Sequence, residues 1–95
     1  MKFLKFTEAK ETYAIDWHKV LLNENNGNGD TIASSAWVIS PSGLTKESDS
    51  VDTYNTRALI RISGGAVGVT YTLTNAITLT TTSDILVDEI QIEVK

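Results

Sequence analysis

One histidine, twelve carboxylates and no cysteine make up most of the reactive inventory of this 95-residue chain. His18 is the sole histidine, so any Ser-His-Asp arrangement would have to recruit it, and no G-x-S-x-G elbow exists to supply the serine. Standing beside Trp17, it reads as a surface or packing residue. A histidine site for a metal needs more than one imidazole, and thiolate sites need cysteine. Asp49 and Asp52 lie close in sequence, but Ser48, Ser50 and Thr53 around them describe a solvated setting. Nothing there would push one carboxyl above the other, as acid–base catalysis requires. The run Asn23–Asp30, NENNGNGD, has calcium-loop composition without the spacing. With Asn23 at position one, the glycine required at position six is Asn28. Ser63-Gly64-Gly65 lacks the lysine and the helix of a phosphate cradle. Arg57 and Arg61 share a strand parity with Leu59, which reads as a solvated face, with an acid-binding patch as the alternative. The expectation is no enzyme, no cofactor and no metal.

Composition narrows the partners. A net charge of −4 and eight basic residues scattered among the acids argue against a nucleic-acid surface. No apolar run approaches the roughly 20 residues that span a bilayer. MKFLKF has no continuous hydrophobic stretch and runs directly into Glu8, Lys10 and Glu11, so it is not expected to be a signal peptide. A chain of this length holds one core without staples, and the absence of cysteine suits a reducing compartment.

The elements that would carry any site are strands. From Val69 to Leu79, apolar Val69, Tyr71, Leu73, Ile77 and Leu79 alternate with Thr70, Thr72, Thr74 and Thr78, which sends the two sets to opposite faces of a sheet. Gly68-Val69-Thr70-Tyr71-Thr72-Leu73 has the grammar of an immunoglobulin strand F. Its corner tyrosine stands two residues before a core cysteine, here replaced by Leu73. Strands are also expected over Glu11–Trp17, over Thr31–Ile39 with Trp37 as the buried core tryptophan, and over Thr53–Ile62. Asp16–Leu22 reads as a turn or one short helical turn, with Asp16 as the candidate N-cap. Lys46–Asp52 reads as a loop or weak edge strand, and Ser63–Gly68 as a hairpin turn into the central strand. Thr80–Asp84 reads as a polar hairpin before the last strand. Asp88 interrupts that strand's apolar parity and predicts a bulge near Val87–Glu89. The fold class is therefore all-β, an Ig-like antiparallel sandwich of about seven strands without a disulfide. Residues 11–95 form the single domain. Residues 1–10, with Phe3 and Phe6, form an edge strand of the same core or an arm docking on a neighbour.

In order and spacing, several pieces resemble the small tailed-bacteriophage virion proteins known as fibre–tail adaptors. The pieces are Ile15-Asp16-Trp17, Gly29 to Ser35 leading to Trp37, Gly43-Leu44-Thr45, Ser63 to Ala66, Gly68 to Tyr71, Asn75 to Thr78, and Ile90-Gln91-Ile92. The resemblance covers residues 13–95. A longer Asn23–Asn28 loop and an apolar Ile85-Leu86-Val87 in the last hairpin depart from the family's pattern. The resemblance implies a non-enzymatic virion protein made in the host cytoplasm, present in many copies of a symmetric assembly, linking tail or neck to fibres. Phe3, Phe6, Asn25, Asn28, Asp30 and Tyr54 are the expected partner contacts. Two alternatives stay open, a capsid decoration protein and a carbohydrate- or cell-surface-binding module in which Tyr54 is the exposed aromatic.

Overall fold

A computed structural model describes residues 2–95. Its elements are β1 (Lys2–Lys5), β2 (Glu11–Asp16), α1 (His18–Leu22), β3 (Ile32–Ser40), β4 (Leu44–Val51), β5 (Arg57–Gly64), β6 (Thr70–Leu79) and β7 (Ile85–Val94). A four-stranded sheet ordered β1-β7-β6-β3 faces a three-stranded sheet ordered β2-β5-β4. This is the Ig-like sandwich that the alternation of residues implies. Apolar side chains of both inner faces interdigitate to form its single core.

The core is built by parity. In β6, Tyr71, Leu73, Ile77 and Leu79 are buried, and Ile90, Ile92 and Val94 of β7 join them beside Ala58, Ile60 and Ile62 of β5. Each buried aliphatic side chain contributes roughly 1.5–3 kcal/mol, so the β5–β6–β7 contact is the energetic centre. Asn75 occupies the one polar position on the inward parity of β6. It is fully buried and fully employed. Its Nδ2 donates to Ser35 Oγ (2.8 Å) and to the Ala36 carbonyl (3.0 Å), while Oδ1 accepts from Trp17 Nε1 (3.0 Å). One amide thus ties β6 to β3 and to the entrance of α1, leaving none of these groups in the core without a partner.

Three local expectations need correction, and a fourth resolves between its alternatives. Ser63–Gly68 does not turn a hairpin, because β5 and β6 belong to different sheets and the segment crosses between them. Gly64, Gly65 and Gly68 all have positive φ along that crossing, a path closed to most side chains. Of the two readings of Lys46–Asp52, loop or weak edge strand, the structure has the edge strand, up to Val51. β4 pairs with β5, with a register shift between Lys46 and Ser48, and ladder bonds override its polar composition. No bulge interrupts β7, whose register against β6 runs unbroken from Thr70↔Glu93 to Thr78↔Ile85. Asp88 keeps its inward parity and stays exposed, because the sandwich opens there into a cleft of about 280 Å3 that Ala14, Ile15, Asp16, Glu89 and Ile90 also line. The irregularity lies instead in β3, between Ile32 and Ser34, and it brings Ile32 to the core beside Trp37 although their parities differ. Finally, Trp17 rather than Asp16 is the N-cap of α1, while Asp16 Oδ1 accepts the His18 N–H at 2.9 Å.

The body measures 44 × 20 × 18 Å. Ten-residue strands run about 33 Å, so the long axis follows the strands and the loops gather at two distant ends.

Candidate functional site

The first end carries α1, the Asn23–Asp30 loop, the Asp52–Thr56 turn and the β6–β7 hairpin. Backbone bonds join these segments: Trp17 N–H to the Thr56 carbonyl (2.9 Å), Ile32 N–H to Asn55 (2.9 Å) and Asp30 N–H to Leu21 (3.1 Å). Two carboxylates close it. Asp30 Oδ1 accepts from the N–H of Thr31 (2.8 Å) and Thr81 (3.0 Å), and Oδ2 from the N–H of Thr82 (3.2 Å). Asp52 Oδ1 accepts from Thr56 (2.8 Å) and Arg57 (2.9 Å). Partial desolvation opposes ionisation of Asp30, but the N–H groups of Thr81, Thr31 and Thr82 outweigh it and hold its carboxyl below the usual 3.8. Asp52 is held below the same value chiefly by the Arg57 N–H, with Thr56 assisting against desolvation.

Beside Asp52 lies an open hollow of about 360 Å3, lined also by Asp16, His18, Tyr54, Thr56 and Arg57. Tyr54 stands out from it at 78% exposure. Asp16 and Asp52 each spend an oxygen on backbone amides, and the Arg57 Nε stands 3.7 Å from Asp52 Oδ2. The hollow can accept and donate hydrogen bonds beside an aromatic face.

The second end carries the Phe6–Lys10 connection, the Pro41–Gly43 turn, the Gly64–Val69 crossing and the tail of β7. Tyr71 acts as the corner tyrosine that its sequence setting suggests, its hydroxyl accepting the Ala66 N–H at 2.9 Å. Gly43 makes room for it, since a Cβ there would fall 2.6 Å from the Tyr71 hydroxyl oxygen. Lys5 is buried, and its ammonium donates to the carbonyls of Phe6 and Gly64, both at 2.8 Å. Burial lowers its pKa, against the pull of Glu11. Thr7 Oγ1 donates to the Gly65 carbonyl at 2.6 Å.

The residues named from sequence as contacts therefore divide. Asn25, Asn28, Asp30 and Tyr54 lie at the first end, with Asn25 held at φ 55° in the turn. Phe3 packs its ring 5.0 Å from that of Tyr13, within this chain's own core. Phe6, at the second end, stays 73% exposed. The oxygens of Asp30 are engaged inside the chain, so its observed role is to staple the loop to the hairpin. Sequence alone assigns no role to Lys5 or Asn75. A lysine between two phenylalanines was the available signal for the first, and an amide on an apolar parity for the second.

Among the described residues no three histidine, aspartate or glutamate side chains gather as a metal site. The chain is a disulfide-free Ig-like sandwich whose two ends are each held by internal hydrogen bonds. The model of one family, described as podophage GP4 fiber-tail adaptor protein gp77, matches residues 5–93, and the chain belongs to that family. It is thus a structural component of the phage virion, on the side of tail and fibres. No curated protein matches the chain.

Proposed function

We propose that the molecule bridges its virion partners lengthwise, one end engaging the tail or neck and the other the fibre. The observation that carries this reading is the separation of exposed residues along a 44 Å body. Tyr54 and Asn28 stand exposed at the α1 end beside the half-buried Asn25, and Phe6 at the glycine-rich end. Both ends are pre-shaped by internal hydrogen bonds, which lowers the ordering cost of binding. The acidic balance favours protein partners over nucleic acid. Assembly in the host cytoplasm, in several copies around the tail axis, completes the proposal and agrees with a cysteine-free chain.

The test is to pair Tyr54→Ala and Phe6→Ala separately with purified tail–neck and fibre complexes. Each substitution should weaken capture of one partner by tenfold or more and leave the other unchanged. Loss of both partners by either variant, or of neither by both, would remove the lengthwise bridge.

The hollow beneath Tyr54 favours a second reading, a saccharide contact made by the same end. An aromatic face beside Asp16, Asp52 and Arg57 offers stacking together with hydroxyl-directed hydrogen bonds. Soluble glycans titrated against the protein, with Tyr54→Ala as control, decide it. Saturable binding that disappears in the variant supports the contact, and no binding discards it.

A further inference from the structure

The sandwich has four edge strands, and they are not equally protected. β4 carries Lys46, Glu47 and Asp49, an ion pair between Lys46 and Asp49, and a register shift at its middle. Charges and irregularities of this kind are how proteins keep edges from pairing. β2 begins and ends on charged residues, Glu11 and Asp16. β3 differs. Once the Ile32 N–H is taken by Asn55, the stretch from Ser34 to Ser40 has no strand on its outer side and not one charged residue. At about 3.3 Å per residue this free edge is roughly 23 Å long. The neighbouring outward positions on β6 are Thr72, Thr74, Ala76 and Thr78, also uncharged. Val38 stands 65% exposed on this face.

The opposite edge of the same sheet is β1. It runs parallel to β7; β7 is antiparallel to β6, and β6 antiparallel to β3. β1 and β3 therefore point the same way on the two margins of one sheet. β1 also presents apolar surface, with Leu4 61% exposed and Phe6 just beyond it. Its outward charge is Lys2, already paired with Glu93 at 2.8 Å.

We propose that β3 of one copy receives β1 of a second copy, so that the four-stranded sheet continues from molecule to molecule. The contact is heterologous, a head-to-tail pairing of different edges that closes into a ring when the rotation permits. Three observations select this occupant. Two copies of one acidic chain repel wherever like charges meet, and β3 offers none. The matching directions of β1 and β3 let neighbours pair without reversing the long axis, which the self-pairing of β3 would do. Apolar Val38 on one margin and Leu4 with Phe6 on the other find cover that their own chain does not give them. The inference takes from the lengthwise bridge only a common polarity of the copies.

The test is light scattering of the full chain over a wide concentration range, with Val38→Lys, Leu4→Lys and, on β4, Ser50→Lys. The unsubstituted chain and Ser50→Lys should form larger species as concentration rises. Val38→Lys and Leu4→Lys should each stay monomeric while keeping the circular dichroism and melting of the original. Mixed together, these two retain one sound edge apiece, so they should give a species of twice the monomer mass and nothing larger. A chain that is monomeric throughout overturns the proposal, as does a mixture that stays monomeric. So does a Leu4→Lys variant that associates normally, which would point to β3 pairing with itself. Capture of tail and fibre partners by single copies is read separately, so either idea can fail alone.

Discussion

The two ends of the sandwich face one problem, how to satisfy loop backbone where the sheets stop, and they solve it with different chemistry. At the α1 end carboxylates do the work. Asp30 and Asp52 gather five backbone N–H groups between them. At the glycine-rich end the donors and acceptors are the Tyr71 hydroxyl, Thr7 and the buried Lys5, and they meet a backbone stripped of side chains. Carboxylates occur at this end too, but Glu93 and Glu47 bind the side chains of Lys2, Lys95, Lys10 and Ser63 and not backbone N–H groups. The first end is therefore electrostatically held. The second is sterically held, and its sequence is constrained by fit.

If steric fit governs the glycine-rich end, filling it should have the largest effect. A Cβ on Gly65 would stand 2.7 Å from Val94 Cγ2 and 2.9 Å from Leu44 Cδ2, at a φ of +101°. Gly65→Ala should cost about 2–4 kcal/mol from combined strain and overpacking, measured by urea unfolding. Gly27→Ala at the α1 end meets nothing within 4 Å. At its φ of +83° it should cost only about 1 kcal/mol. Equal losses at the two positions would erase the contrast.

The next step down is Tyr71→Phe. The ring and its packing stay, but the Ala66 N–H loses its acceptor, for an expected loss of about 1–2 kcal/mol. Hydrogen exchange at Ala66 should rise, with little change at Thr81 or Thr82. If exchange rises at both ends alike, the corner hydrogen bond supports the whole fold and not its own end.

Much of this could be read from the chain, for identifiable reasons. Period-two alternation gave β6 its faces because a strand's burial is set locally, residue by residue. The corner role of Tyr71 was legible because Gly68 and Leu73 frame it. What failed were statements about which strands meet. Ser63–Gly68 has the composition of a hairpin turn, and nothing local distinguishes a hairpin from a crossing between sheets. Asp88 suggested a bulge because its parity was wrong for a core residue; the real reason, a cleft beside β2, depends on a strand about 75 positions earlier. Asn75 passed unnoticed since an amide among threonines looks solvated until Trp17, Ser35 and Ala36 converge on it. Tyr54 is legible as an exposed aromatic from its polar setting, whereas the exposure of Phe6 and the placement of the two at opposite ends depend on the topology.

The smallest expected effect is the most selective test of the comparison. The folded-state carboxyls of Asp30 and Asp52 lie below 3.8, the ordinary value. A depressed acid stabilises the fold fully above its unfolded value, and that stabilisation is lost as pH falls through the folded one. Acidification from neutral pH should therefore leave both ends intact until the pH passes below about 4. The amides of Thr31, Thr56, Arg57, Thr81 and Thr82 should then shift together in an NMR titration. The Ala66 amide, which donates to the Tyr71 hydroxyl and to no carboxylate, should not follow them. Asp30→Asn should remove the titration at Thr81 and Thr82 while leaving that at Thr56 and Arg57, since separate carboxylates hold the two sets. If Ala66 titrates with them, the ends are mechanically coupled through the sheets, and a partner bound at one end would be felt at the other.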